Sequence, residues 1–353
     1  MPLTPDPPVP VASLSLGTLP PNAIWGRPMT LRRRNLLRLA AGAATLPLAP
    51  RLVRADTYPS RPVHILVGFA AGGAADTVAR VTADLLSQRL NQQFVVDNRP
   101  GAGTNIATEA VTQAAPDGYT LLLVTGANAI NATLYQHLNF DFLRDMAPVA
   151  GVIRVPQVMI VNPKFAAQTV PEFIAYAKAN PGKVNMGSGG IGSTLHVAGE
   201  LFKMMAGVNL VHVPYRGDAP ALVDLMAGQI QVIFDLTAAA LPFIKAGKLR
   251  AIAVTSATRA KALPDLPTIA EFLPGYEATS FEGIAAPKGT PPEIVDKLNG
   301  AINSGFTDAK FQAHLAELGG EGLPGTPAQF RQLIADETEK WGKVVRFANL
   351  KAE

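Results

Sequence analysis

Pro62–Arg80, PVHILVGFAAGGAADTVAR, decides the fold. Its apolar run, Val63–Phe69, reads as a buried strand, stops at Gly72-Gly73, and gives way to a helical pattern from Asp76. A strand that runs through glycines into a helix start leaves backbone N–H groups facing one spot, with the positive end of the helix dipole behind them. Glycine lets that backbone approach a bound anion closely. Val184–Glu200, VNMGSGGIGSTLHVAGE, has the same layout. Two such loops in one chain predict a clamp for a molecule with one or two carboxylates.

Outward from these stretches, short apolar runs alternate with helical patterns. Strands are expected at Val63–Phe69, Phe94–Asp97, Thr120–Thr125, Gln157–Val161, Val184–Met186, Leu210–Val213, Ile230–Phe234, Leu249–Thr255 and Gly283–Ala286. Helices fit between and after them, at Asp76–Leu90, Asn105–Ala114, Val170–Asn180, Thr194–Ala206, Ala219–Ala227, Ala238–Ala246, Pro291–Ser304, Lys310–Leu318 and Pro327–Ala348. Such alternation predicts an α/β fold of parallel-rich sheets with helices on both faces. Ligands in these folds sit at the C-terminal ends of strands, where the glycine-rich loops fall. Crossings near Ala150–Gln157 and Thr279–Ala286 divide the chain into a first lobe, 56–155 plus 281–353, and a second, 156–280, with a cleft and hinge between them.

Residues 1–55 read as a leader. Arg32-Arg33-Arg34-Asn35-Leu36-Leu37-Arg38 is basic, Leu39–Pro50 is apolar, and Val53-Arg54-Ala55 ends on a small residue. Basic block, apolar stretch and small-residue end make a cleavable export signal, and the paired arginines resemble a twin-arginine signal. An ordinary secretory signal is the alternative. The leader also holds seven basic residues and one acid, so the chain's +4 charge becomes 24 basic and 26 acidic residues in the mature part. A mature net charge of −2 gives no reason to expect nucleic acid as a partner. With no cysteine in the chain, disulfides, cysteine metal sites and thiol chemistry are excluded.

The five histidines, His64, His137, His196, His212 and His314, lack metal-ligand spacing. No metal and no cofactor are expected. Gly187–Gly192 matches G-x-G-x-x-G between a strand and a helix, so a twin-arginine-exported oxidoreductase holding a nucleotide is the competing reading. Against it, Leu210–Val213 runs into Pro214-Tyr215-Arg216, with no acid for a ribose. Ser188, Ser193 and Thr194 offer hydroxyls beside free N–H groups, although Ser193 or Thr194 also suits a helix cap. His196 lies early in its helix and suits a structural role. Asp76 suits a cap that orders the first loop, and Asp235 could accept an N–H from a ligand amine. Arg216 and Arg99 could pair with carboxylates.

The stretches PVHILVGFAAGGAADTVAR, VVDNRPGAGTNIATEAV, APDGYTLLLVT, NMGSGGIGSTLHVAGELF and VPYRGDAPALVDLMAGQI together resemble the Bug family of extracytoplasmic solute receptors. These are the binding proteins of tripartite tricarboxylate transporters. LRAIAVTSATRAKALPDLPTIAEF and APKGTPPEIVDKLN extend the likeness, from about Tyr58 to Trp341. The resemblance implies a two-lobed type II periplasmic-binding-protein fold and a periplasmic receptor without catalytic activity. It implies a small carboxylate ligand (dicarboxylate, amino acid or aromatic acid), membrane transporter components as partners, and a monomer. Carried onto this sequence, the ligand-binding residues would be Phe69, Ala70, Ala71, Gly72, Gly73 and Asp76 in the first loop. Thr125, Gly126, Ala127 and Asn128 follow the third strand; Ser188, Gly189, Ser193, Thr194 and His196 lie in the second loop; Asp235 and Thr237 come last. Many members have proline where Gly68 and Ala71 stand, so a looser first loop and a different ligand are expected here.

Overall fold

The computed structural model describes residues 58–352, and the leader expected at residues 1–55 lies outside them. β1 (Val63–Val67) pairs in parallel with β2 (Phe94–Asn98) and β3 (Thr120–Thr125). Between them lie α1 (Ala74–Leu90) and α2 (Asn105–Thr112). α1 buries Ala75, Val78, Ala79, Leu85 and Leu86, the helix-spaced apolar face that the sequence shows. It starts two residues before Asp76, because extended Gly73 occupies the cap position and Asp76 sits in the first turn.

β3 runs without a loop into α3 (Gly126–Leu134), and α4 (Phe142–Asp145) follows. Neither helix was among those expected. α3 is only nine residues long and opens on Thr125, which forms a capping box with Asn128. β4 (Met146–Val161) is a single strand, of which the expected Gln157–Val161 is only the end. Next come α5 (Val170–Ala179), β5 (Asn185–Ser188), α6 (Thr194–Ala206), β6 (Val211–Pro214), α7 (Asp218–Ala227), β7 (Val232–Leu236), α8 (Thr237–Lys245) and β8 (Arg250–Val254). The chain returns as β9 (Thr279–Pro287) and ends in α9 (Pro292–Gly305), α10 (Ala309–Glu317), the short β10 (Glu321–Gly322) and α11 (Pro327–Phe347).

The strand order is β2-β1-β3-β9-β4-β7-β5-β6, with β8 and β10 also on β4. β4 pairs antiparallel with β7, β8, β9 and β10, and β9 also with β3; β4 and β9 cover the stretches near Ala150–Gln157 and Thr279–Ala286 where the sequence leads one to expect crossings. β4 changes partners partway along. Met146–Pro156 pairs with β9, and Gln157–Val161 pairs with β7. Thr255 locks this junction: its Oγ accepts the Gln157 N–H and donates to the Gln157 carbonyl, both at 2.9 Å. Its own carbonyl accepts the N–H of Ala278, just before β9.

The apolar side chains show how two lobes form. One face of both sheets carries a single core, from Leu66, Leu122 and Phe281 through Met159, Met186 and Phe234. Aromatic contacts tie it together, with Phe202 5.8 Å from Phe173 and 5.5 Å from Phe234. Each such buried ring contributes about 1.5–3 kcal/mol by burial alone. On the opposite face the core divides. One cluster gathers Ile65, Val67, Leu123 and Ile284; the other gathers Val158, Ile233, Leu222 and Leu225. The break between them lies at the partner change in β4.

Candidate functional site

Among the described residues six helices follow the C-terminal ends of strands in the parallel parts of the sheets: α1 after β1, α2 after β2, α3 after β3, α6 after β5, α7 after β6 and α8 after β7. A helix start carries unpaired N–H groups and the positive end of the helix dipole. Two of these starts face each other closely. A β-carbon placed on Gly126 would lie 3.0 Å from Thr194 Cγ2, and one on Gly192 would strike Leu134 Cδ2. The structure thus brings together the Thr125–Asn128 and Ser193–Thr194 segments.

The first loop is held from beneath by Asp76. Its carboxylate accepts the Gly72 N–H and the Arg80 Nε–H, both at 2.9 Å, and the Asn98 amide at 3.0 Å. The Arg80 hydrogen bond, opposed by burial and aided by Gly72 and Asn98, holds the Asp76 carboxyl down at about 2. Asn98 also donates to the Phe69 carbonyl. Asp76 therefore orders the loop, as the sequence suggests, with every contact directed inward. Phe69, Ala70, Ala71, Gly72 and Gly73 form an exposed rim. Gly72 adopts φ +87°, a conformation that favours glycine.

Asn128 is occupied on all sides. Its Oδ1 accepts the Thr125 N–H at 2.8 Å, and its Nδ2 donates to Thr104 and Thr108 hydroxyls at 3.1 and 2.9 Å. Its role is to fix the start of α3. Thr104, which anchors that network, takes φ +88° with its side chain buried, and the sequence reading did not single it out.

The second loop rests on two histidines. His196 and His212 stack with centroids 3.6 Å apart and planes 14° from parallel. Ser188 Oγ lies 2.7 Å from His212 Nε2, so this hydroxyl, fully buried, is committed to the loop's foundation. His196 Nδ1 accepts the Gly192 N–H at 3.1 Å. The proton of the neutral ring is then on Nε2, which faces Glu200 Oε1 at 3.5 Å, longer than a good hydrogen bond. Burial works to raise the Glu200 carboxyl, but His196 and Lys203 outweigh it and hold it low. Burial, with His196 alongside, pushes the His212 imidazole down to about 4. Ser193 caps α6 by accepting the His196 N–H, while Thr194 begins the helix. The part of His212 was missed in the sequence, because a histidine on a strand carries no spacing signal.

At the end of β7, Asp235 is fully buried. Its Oδ1 accepts the Leu236 N–H at 2.8 Å, and its Oδ2 has no partner among the described residues. Burial, reinforced by nearby Asp218, lifts its carboxyl to about 7. Thr237 donates to the Pro156 carbonyl at 2.8 Å, and so belongs to the hinge. Asp218 itself stands over the second loop: a β-carbon on Gly189 would lie 2.5 Å from its Oδ1. That carboxyl speaks against the nucleotide reading of Gly187–Gly192, since it would meet a pyrophosphate on this loop with like charge. Arg216 is exposed, and Arg99 pairs with Asp97 at 2.9 Å.

Comparison with known proteins agrees with this geometry. Residues 78–350 match the model of the tripartite tricarboxylate transporter family receptor. BugT of Bordetella pertussis is 39% identical over 297 residues, which cover 83% of this chain and 91% of BugT. Among solved structures, Rpa4515 of R. palustris, described with adipate, superposes with TM-score 0.73 at 38% identity, over 83% of this chain and 99% of its own. MatC from Rhodopseudomonas palustris, with bound malate, gives TM-score 0.70 at 31% identity, over 82% and 100%.

Proposed function

The chain belongs to the tripartite tricarboxylate transporter receptor family, and we propose that its two lobes close on a small carboxylate held by the amides of the strand-end loops. The observation that carries this is the close approach of two helix starts that follow strand ends, Gly126 of α3 and Thr194 of α6. Backbone N–H groups and helix dipoles stabilise an anion without a metal. Adipate and malate in two relatives of the same fold support the ligand class. The cleft binds and releases its ligand unchanged and hands it to the membrane components of the transporter.

Lobe 1 comprises 56–155 and 281–353, and lobe 2 comprises 156–280; the partner change in β4 after Pro156 supports that division. The ligand-contacting set is the exposed rim Phe69–Gly73 with the α3 and α6 starts. Asp76, Asn128, Ser188 and His196 position those backbones. The receptor acts in the periplasm as a monomer. Export runs by the twin-arginine route through Arg33-Arg34. Replacing both with lysine should leave the precursor in the cytoplasm on cell fractionation; periplasmic mature protein at normal yield would instead make the signal an ordinary secretory one.

The ligand reading is tested by denaturing protein purified from the periplasm and analysing what it releases by mass spectrometry. A stoichiometric small carboxylic acid is expected. A stoichiometric nucleotide or sugar would overturn the reading.

A further inference from the structure

One buried carboxyl beside the α3 start has nothing to hold. Glu282 lies in β9, opposite Thr125 of β3 on one side and Ile153 of β4 on the other. Strand alternation puts its side chain in the row of Ile284 and Ala286, on the face of the first-lobe cluster. Glu282 is the acid in that apolar row, nine-tenths buried, and its Oε2 has no hydrogen-bond partner among the described residues. Thr125 caps α3 and Gly126 is its first residue, with Thr194 of α6 close by. The carboxyl therefore lies beside the pair of helix starts on which the carboxylate reading rests. Charged groups on the elements packed against β9 are engaged elsewhere. β3 and α3 have no titratable side chain. Arg154 of β4 stands opposite Phe281, on the other face, and pairs with Glu277. Glu109 of α2 bonds Gln113 and Asn139. His196, Glu200 and Lys203 of α6 engage one another, and on α11 Glu337 pairs with Lys340 at 2.6 Å. Burial is thus the one influence on the Glu282 carboxyl, and raises it to about 8.

A buried carboxyl without a partner costs free energy. An apolar side chain would fill this place in the row at no such cost, so the fold itself does not account for the acid. What completes it comes from outside the chain. A cation is disfavoured there by the positive end of the α3 dipole. An ionised Glu282 would in turn meet a bound carboxylate with like charge. The protonated form reverses the sign: a carboxylic O–H donates to a carboxylate oxygen, in a strong charge-assisted hydrogen bond. We infer that Glu282 is a specificity residue that recognises one carboxylate of the ligand as a protonated acid, so that the receptor binds its ligand together with a proton. That proton is shared between two carboxyl groups and returns to solvent when the ligand leaves an ionised Glu282 behind. The inference rests on the carboxylate reading of the strand-end site and adds to it a donor and a proton.

The test is titration calorimetry of succinate, malate and adipate into protein stripped of ligand by unfolding and refolding, at pH 7 and pH 9, each in two buffers of different ionisation enthalpy. At pH 9 free Glu282 is ionised, so binding of at least one acid should take up close to one proton. Its Kd should be about tenfold weaker than at pH 7. E282Q, which donates an N–H at every pH, should show neither the uptake nor the tenfold fall. E282M, which keeps the length and has no donor, should bind that acid about tenfold or more weaker than E282Q at pH 7. Thermal melting checks that both variants fold, and the wild-type proton count requires neither. Binding without proton uptake at pH 9, an uptake that persists in E282Q, or equal affinity of E282Q and E282M would overturn the inference and leave the carboxylate reading standing. Failure of all three acids to bind at either pH would count against both.

Discussion

At the scale of single residues, several of the polar groups in the strand-end loops hold the backbone still. Ser188 is the clearest case. A serine in a glycine-rich loop reads as an anion contact, yet its hydroxyl lies 2.7 Å from His212 Nε2 and also accepts the Gly190 N–H at 3.2 Å. Sequence could place Ser188 at the loop but could not show a histidine 24 positions away beneath it. Asp76 was legible, because an acid in the first turn of a helix has few other uses. Glu282 was not, since one acid in an apolar strand reads as an edge residue until the β3–β9 register puts it beside Thr125. Ser188→Ala should leave His212 without its partner in a buried place. The expected cost is about 1–3 kcal/mol in urea unfolding, with weaker ligand binding as the loop loses its support. Unchanged stability with weaker binding would instead mark Ser188 as a direct ligand contact.

At the scale of elements, the fold follows from what each strand end does next. Glycine-rich exits and helix caps were readable, and most helix bounds fell within two residues of expectation. α3 escaped because β3 enters it directly, so no turn separates the two patterns. β4 was read as a short strand because its first half, rich in proline, alanine and glycine, carries little apolar alternation. The strand-end carboxyls also give these elements a pH dependence. Asp235 and Glu282 titrate near 4 when unfolded but at about 7 and about 8 when buried in the native protein. Folding therefore favours their protonated forms. Their stabilising contribution is complete below pH about 4 and is lost as pH rises through 7 and 8. The melting temperature of ligand-free protein should fall between pH 5 and pH 8.5. The D235N/E282Q double variant should flatten that fall, at roughly 2–4 °C for each kcal/mol recovered. An equal slope in the variant would show that other groups set it.

At the scale of the whole molecule, one core shared by both lobes and one divided core make a hinge. In the closure proposed above, the continuous face would resist separation and motion would open the divided face, about the Pro156–Gln157 and Ala278–Thr279 crossings. The α3 and α6 starts lie against each other beside the shared core, to which both helices contribute. Gly126→Val should hold them apart, because even one β-carbon there lies 3.0 Å from Thr194. Small-angle scattering should show wild-type protein contracting on ligand addition and the variant remaining expanded. Equal contraction in both would place the closure contact elsewhere. The two-lobed plan was visible in the strand–helix alternation, but the divided core was not, since it depends on which faces the strands share. The central claim, that the strand-end amides hold a carboxylate between the lobes, is tested most directly by titrating stripped protein with acids and with their neutral amides. The account predicts that at least one small acid binds one to one, and that converting its carboxylates to amides abolishes binding. An amide that binds as tightly as its acid would contradict it.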